Sequence, residues 1–455
     1  LSGAVENIPG FYETNSLRSW GRTLASWHVA ARPAWRDEAV SALSAGAAHA
    51  NGVLAIGLGR SYGDTGLNPD GAAIVMAGVD RLLAFDPATG IVRAEAGMAL
   101  AALLAFLLPR GFFLPVTPGS QYVTLGGAVA NDVHGKNHHG AGTFGAWVRA
   151  IGLVRSDGTE HVLRAEDPTN LFAATIGGLG LTGLITWVEF EALPVGSDQM
   201  EVETLPFDAL PEFFALSQES DKTWPYTVSW IDCFAQGGIG RGLLSRGRHA
   251  AVGHGPVRAA RRRLSVPMAA PDFLLGEPVI RTFNALYYAA GKRQASRRGG
   301  QPAKLGYEKF FYPLDVVQQW NLLYGERGMY QYQSVVPPDV ALPATSEMLR
   351  QIAKSGEGSF LAVLKTFGPK TSPGLLSFPR EGTTLALDFP NRGASTMALL
   401  ARLDDVVREA GGRLYPAKDG RMPPAMFAQG YPNVANFSAL TDPKFSSAFW
   451  RRMRG

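Results

Sequence analysis

Asn131, His134, Lys136, Asn137, His138 and His139 fall within nine positions, directly after Gly119, Gly126 and Gly127. Glycine lets backbone come close to a large planar or phosphorylated ligand, and the polar cluster sets donors and acceptors beside it. The pattern is that of a cofactor cradle. Three histidines in so short a stretch also raise the question of a metal. His134, His138 and His139 have no acidic partner at helical spacing, and the glycines oppose a helix, so no metal site is expected.

Two more glycine loops flank this stretch. Gly57-Leu58-Gly59-Arg60-Ser61-Tyr62-Gly63 follows a strand-like run, as a dinucleotide fingerprint would, but Asp64 to Gly71 then reads as a turn and not a helix. That context opposes a Rossmann unit, although consecutive amides can still form an anion nest. Gly177-Gly178-Leu179-Gly180-Leu181-Thr182-Gly183 is the third loop, with Leu184 and Ile185 opening a strand behind it. Three such loops in one half of the chain favour a single large cofactor.

The elements that must hold these loops can be read from periodicity. Short β-branched runs at 52–57, 73–76, 91–95, 147–155 and 184–191 alternate with helical patterns at 33–48, 100–109 and 170–176. Beyond Pro194 come aromatic strand-like runs at 226–234, 307–312, 330–336, 359–367 and 384–389, with helical patterns at 315–324, 344–354 and 395–410. The fold class expected is α+β: a cofactor domain over 15–195, a substrate domain with an antiparallel sheet over 196–412, and a polar segment over 413–455 returning to the first domain.

Composition narrows the class. With 455 residues and 46% hydrophobic content, two domains are the natural prior. The longest apolar runs end after about ten residues, short of the roughly 20 that cross a bilayer. The first residues lack the basic head and apolar core of an export signal. One cysteine, Cys233, excludes an internal disulfide framework. Between Arg241 and Lys304 stand 13 Lys/Arg against two acids, Asp272 and Glu277, although the whole chain carries only +4. Interleaved with Leu, Phe and Tyr, this stretch (about 237–305) reads as a mobile insertion, either plainly solvated or suited to an anionic lipid surface or a phosphate on a greasy chain. No nucleic-acid module surrounds it.

The three loops together, with Pro118-Gly119 and Thr124-Leu125-Gly126-Gly127, resemble the FAD-binding domain of vanillyl-alcohol oxidase type flavoproteins. More narrowly, His134 to His139, Phe310 to Asp315, Gln331 to Gln333, Lys365 with Phe367 to Pro369, Leu376 to Pro379, Asp388 to Pro390 and Gly411 to Asp419 resemble the decaprenylphosphoryl-β-D-ribose 2-oxidase family, over residues 20–452. Those proteins are flavin subunits of the epimerase that makes the arabinose donor of mycobacterial-type cell walls. The resemblance implies that FAD is held by Ala55, Ile56, Gly57, Leu58, Gly59, Arg60, Ser61, Tyr62, Gly63, Asp64, Thr65, Gly119, Thr124, Leu125, Gly126, Gly127, Asn131, Asp132, Val133, His134, Ile185 and Tyr415. Arg60 stands where many members of the wider superfamily carry a histidine joined to the flavin, so non-covalent FAD is expected.

The implied reaction oxidises the ribose 2-hydroxyl of a polyprenylphosphoryl ribose to a ketone, and a separate NAD(P)H-dependent short-chain reductase completes epimerisation. Such a site needs a proton acceptor near the hydroxyl and cations near the flavin. Lys418, His134 and Tyr62 are the catalytic candidates. Lys136, Tyr312, Gln333, Lys365, Thr384 and Ala386 are the substrate-side candidates. Family members commonly have Asn-Xaa-Cys where this chain reads Thr384-Leu385-Ala386, and the mycobacterial pattern has cysteine at Asn131. Alanine at 386 offers no nucleophilic sulfur. The rival enzyme reading is an oxidase of soluble sugars, alditols or aldonolactones; the non-enzymatic one is a flavin-binding lipid carrier. Peripheral membrane contact is expected on the cytoplasmic membrane, at either face, and no nucleic-acid partner.

Overall fold

A computed structural model of the protein describes residues 10–235, 239–251, 264–269, 271 and 275–455. The early β-branched runs pair into two sheets. His28–Ala31, Ala72–Val75 and Val53–Ile56 run parallel, with Tyr12–Thr14 added antiparallel at one edge. Their near-continuous burial explains why these strands show no polar alternation in sequence. The second sheet is antiparallel, in the order Leu82–Asp86, Ile91–Glu95, Leu184–Glu191, Val148–Val154, Glu160–Leu163. The helix Leu100–Leu107 buries Leu100, Leu103, Leu104 and Leu107, the three-and-four spacing of one helical face, in the core beside this sheet.

The rest of the chain forms an eight-stranded antiparallel sheet: Ala303–Gly306, Gln199–Phe207, Gly242–His249, Tyr226–Ile231, Ala362–Phe367, Gly382–Pro390, Met329–Val336 and Arg413–Leu414. The architecture is thus mixed α+β. Alternation divides this sheet into two faces. Leu244, Ile231, Leu364, Leu385 and Leu387 enter a core shared with the helices Leu210–Ser220, Ala341–Ser355 and Ala394–Glu409. The same core takes in Leu179 and Leu181 from the third glycine loop and Phe427, Phe437, Phe449 and Trp450 from the C-terminal helices. The chain end also reaches the first sheet: the Val53 amide donates to the Lys444 carbonyl at 2.8 Å, and Phe445 is buried there.

Several elements differ from the periodicity. Residues 307–312 are not a strand: Tyr307–Phe311 is a short helix, and Phe310, Phe311 and Tyr312 are all buried, which one pleated strand could not achieve against a single core. The helix expected over 315–324 is interrupted. A 3₁₀ turn Pro313–Val316 leads to a two-residue strand, Gln319 takes φ +54, and a second 3₁₀ turn covers Trp320–Tyr324. The stretch read as an insertion contains Gly242–His249, an interior strand of the sheet, and the 22-residue helix Glu277–Arg298. Those parts belong to the domain itself. The basic residues Arg258, Arg261, Arg262 and Arg263 lie outside the described residues.

Candidate active site

Between the glycine loops and the free face of the eight-stranded sheet lies a cavity of about 1410 Å³. A narrower cleft of about 100 Å³ adjoins it and shares Leu58, Gly59, Arg60, Ser61, Gly127 and Asn131 as walls. Ala55, Ile56, Gly57, Gly63, Thr65, Thr124, Gly126 and Ile185 line the cleft alone. Backbone dominates here for steric reasons. A Cβ on Gly57 would stand 2.3 Å from Thr124 Oγ1, and one on Gly63 would stand 1.5 Å from the Asp419 carbonyl oxygen, so these loops close only as glycine. Thr124 also caps the helix Leu125–Ala130, its hydroxyl accepting from the Gly127 amide at 3.2 Å.

The cleft and the adjoining part of the large cavity together give a long cofactor room. A Cβ on Gly119 would meet no protein atom within 4 Å, leaving open space in the large cavity, and the buried Asn131 Oδ1 has no protein partner. Asn131 Nδ2 is fixed by the Gly127 carbonyl at 2.9 Å, and the Tyr415 hydroxyl donates to the Asn131 carbonyl at 2.8 Å. Arg60 lies over the Trp20 ring at 4.2 Å and donates to the Tyr122 carbonyl at 3.2 Å.

Tyr62, Gly119, Val133, His134, Lys136, Gln333, Lys365, Thr384, Ala386, Tyr415 and Lys418 all line the large cavity. Four expected site residues do not line either space. Asp64 pairs with Arg452, which donates to both its oxygens at 2.9 and 3.0 Å. Asp132, at φ +40, is buried and accepts from the Gly145 amide and the hydroxyls of Ser372 and Ser377. Leu125 is core, and Tyr312 is fully buried with its hydroxyl 2.6 Å from Thr117 Oγ1. The first two are braces of the cradle; a buried carboxylate needs such partners.

His134 is the hub on the sheet side. Its Nε2 lies 2.9 Å from Gln333 Nε2, and its Nδ1 lies 3.3 Å from Lys365 Nζ. Gln333 also donates to Thr384 Oγ1 at 3.2 Å. Burial, then the Lys365 charge, holds the imidazole well below its ordinary pKa, so it is neutral at pH 7. A neutral imidazole carries one N–H. One neighbour therefore accepts: Lys365 as the free amine, or Gln333 through its carbonyl oxygen. Burial brings Lys365 down to about 7, with Lys418 contributing, and brings Lys136 down to about 7, with Lys365 contributing. Lys136 donates to the Phe310 carbonyl and lies 4.5 Å from that ring's centroid.

Lys418 is set 3.9 Å over the Tyr62 ring. Its loop is tied in place where the Tyr62 amide donates to the Ala417 carbonyl at 2.9 Å and the Lys418 amide to the Tyr415 carbonyl at 3.0 Å. Burial lowers the Lys418 ammonium and raises the Asp388 carboxyl, each opposing the other's shift by its charge. Burial also raises the Tyr62 phenol well above its usual value. Asp388 was missed as a site residue. It faces Gln331 in register and accepts from Gln331 Nε2 at 2.5 Å. The signal was present in its same-face spacing from Thr384 and Ala386, two residues apart each time along one strand. Among the described residues no cluster of His, Cys, Asp or Glu could hold a metal, and no helix is long and apolar enough to cross a membrane.

The FAD binding domain family matches residues 27–164. The chain is 34% identical to decaprenylphosphoryl-beta-D-ribose oxidase of Mycolicibacterium smegmatis, over 97% of this chain and 98% of that protein. It is 33% identical to an uncharacterised protein of Streptomyces coelicolor over 78% of this chain and 100% of that one. An L-gulono-1,4-lactone dehydrogenase of Mycobacterium tuberculosis matches at 29% over 36% of this chain and 37% of its own length. This protein belongs to the vanillyl-alcohol oxidase type family of FAD-linked oxidoreductases.

Proposed function

We propose that the protein oxidises the 2-hydroxyl of a polyprenylphosphoryl-β-D-ribose to the 2-keto sugar, using non-covalent FAD. The observation that carries this reading is the convergence of His134, Lys365, Gln333, Thr384 and Lys418 on one cavity that adjoins the glycine cleft. The full-length similarity to a decaprenylphosphoryl-ribose oxidase supports the substrate class. FAD, when bound, supplies a two-electron acceptor for the hydride leaving C2. The hydroxyl proton goes to a protein base as the C2–O bond becomes a carbonyl. Neutral His134, or Lys418 and Lys365 as free amines, can take that proton. The remaining ammonium groups favour negative charge developing on the cofactor. An external electron acceptor must then remove both electrons before the next turnover. The ketone would pass to a separate NAD(P)H-dependent reductase.

Arginine cannot make the covalent link that histidine makes, and Arg60 is already engaged with Trp20 and Tyr122. Acid precipitation should therefore release all the flavin into the supernatant. The substrate is tested by anaerobic bleaching of the flavin with polyprenylphosphoryl ribose, compared with free ribose, aldonolactones and alditols. Bleaching by lactones or alditols but not by the lipid-linked sugar would replace this reading with the soluble-sugar oxidase; no bleaching by any sugar would favour a flavin-binding carrier.

A further inference from the structure

The cavity face of the eight-stranded sheet changes chemistry across its width. Gln333, Thr384 and Lys365 sit at the end that meets His134. On the next strand pair Val363 and Trp230 stand opposite one another, and Leu243 stands opposite Trp230. Val202 continues the face on Gln199–Phe207, three strands beyond Lys365 and about 14 Å away at the usual spacing near 4.8 Å.

The helix Glu277–Arg298 roofs this apolar stretch. Phe283, Tyr287, Ala290, Gly291 and Gln294 follow helical spacing and all line the cavity. Tyr287 meets Trp230 edge-on with ring centroids 4.8 Å apart. A Cβ on Gly291 would fall 2.3 Å from Leu243 Cδ1, so the helix rests on the Leu243 side chain there. Phe283 and Tyr287 line the cavity and are each 46% exposed, which puts them at its rim, and Leu286 beside them is 67% exposed. The space is thus one cavity with an ionisable end and a mainly apolar arm, interrupted by Thr204 and Ser245, that opens under an aromatic rim.

We propose that this arm, between the Val202–Leu243–Trp230–Val363 face and the helix Glu277–Arg298, holds the first isoprene units of the lipid chain. The inference rests on the proposed function and assigns the substrate's tail a place distinct from the sugar's. An apolar trough continuous with a polar reaction end suits an amphiphile whose head must reach His134 while its chain leaves water. The aromatic rim marks where the chain would pass outward.

The test uses the holoenzyme and phosphoryl ribose carrying C5, C10 or C15 prenyl chains, read by anaerobic flavin bleaching. The expected result is a rise of at least about tenfold from C5 to C15 in the ratio of limiting bleaching rate to apparent Kd. Ala290→Phe, which fills the arm from the roof, should collapse the C15/C5 ratio of this quantity towards 1. Val202→Trp fills it from the floor and keeps the test open if the first variant does not fold. Absence of chain-length dependence, or a C15/C5 ratio that both folded variants leave intact, overturns the inference while the substrate class stands. Bleaching by aldonolactones and by none of the three lipids overturns the proposed function itself.

Discussion

The cofactor side of the cavity is made of backbone, with Gly57, Gly63, Gly126 and Gly127 packed so tightly that a side chain would displace a neighbour, or with Gly119 open to the space. The sheet side is made of polar side chains, Lys365, Gln333 and Thr384, carried on three neighbouring strands. The first wall binds by shape and by amides that cannot titrate. The second carries groups whose protonation is adjustable, because burial has moved Lys365 to about 7. The two meet at several seams, among them Gly63 packed on the Asp419 carbonyl, the Tyr415 hydroxyl donating to the Asn131 carbonyl, and His134 against Gln333 and Lys365. Binding and chemistry should therefore be separable by mutation away from these seams.

Lys418→Met tests the separation with the largest effect. Flavin reduction by the lipid-linked sugar should slow by about 10²–10⁴-fold in stopped-flow measurements, the span of positioned proton transfer, with FAD content unchanged. Gly63→Ala should break its seam instead: with no room against Asp419, both FAD content and Lys418 placement fail together. A variant that keeps FAD and loses only turnover would show that the loop can shift, and that the walls are less coupled than the packing indicates.

The ionisable wall also has a pH signature. Lys365 in the fold titrates near 7, below its unfolded value near 10.4. As pH falls from about 10 to 7 the unfolded chain binds this proton and the fold does not, so stability declines over that window and levels off below it. Lys365→Met removes the penalty. Its apparent Tm should exceed the parent's by at least about 2 °C at pH 6.5 and converge with it above pH 10. A constant difference across pH would mean that burial does not tune this amine.

The smallest effect concerns Ala386. It lies on the cavity face opposite Gln333 and Val363, where a thiol would be exposed to reagents that enter the cavity. Peptide mapping after treatment with a cysteine-directed electrophile should find no adduct near Ala386 in the parent and one in Ala386→Cys. Absence of an adduct in the variant would show that this part of the sheet face is closed.

The two walls also differed in how legible they were. Gly57 to Gly63 and Gly119 to Gly127 each lie together in sequence, so the cradle could be read as local motifs. His134, Gln333, Lys365 and Lys418 come together from four separate stretches, and only the family resemblance singled out Lys418. For Asp132 and Asp64 the resemblance implies a place at the cofactor. The fold turns both carboxylates away, onto Ser372, Ser377 and Arg452, where they brace the loops. The helix Glu277–Arg298 was hidden for another reason. Its exposed apolar residues, Phe283, Leu286 and Tyr287, spoil the simple inside-outside pattern by which an amphipathic helix is recognised. Residues 315–324 misled because apolar spacing carries no information about the left-handed turn at Gln319, and residues 307–312 because aromatic content does not separate a strand from a short helix with buried aromatic residues.

In the proposed reaction, hydride leaves C2 of the sugar at the His134 and Lys418 end of the cavity. Single-turnover anaerobic stopped-flow with polyprenylphosphoryl ribose deuterated at C2, and separately at C3, measures this directly. Slower flavin bleaching with the C2-deuterated substrate alone is the predicted result. Slowing with the C3-deuterated substrate and none with the C2 form would contradict it.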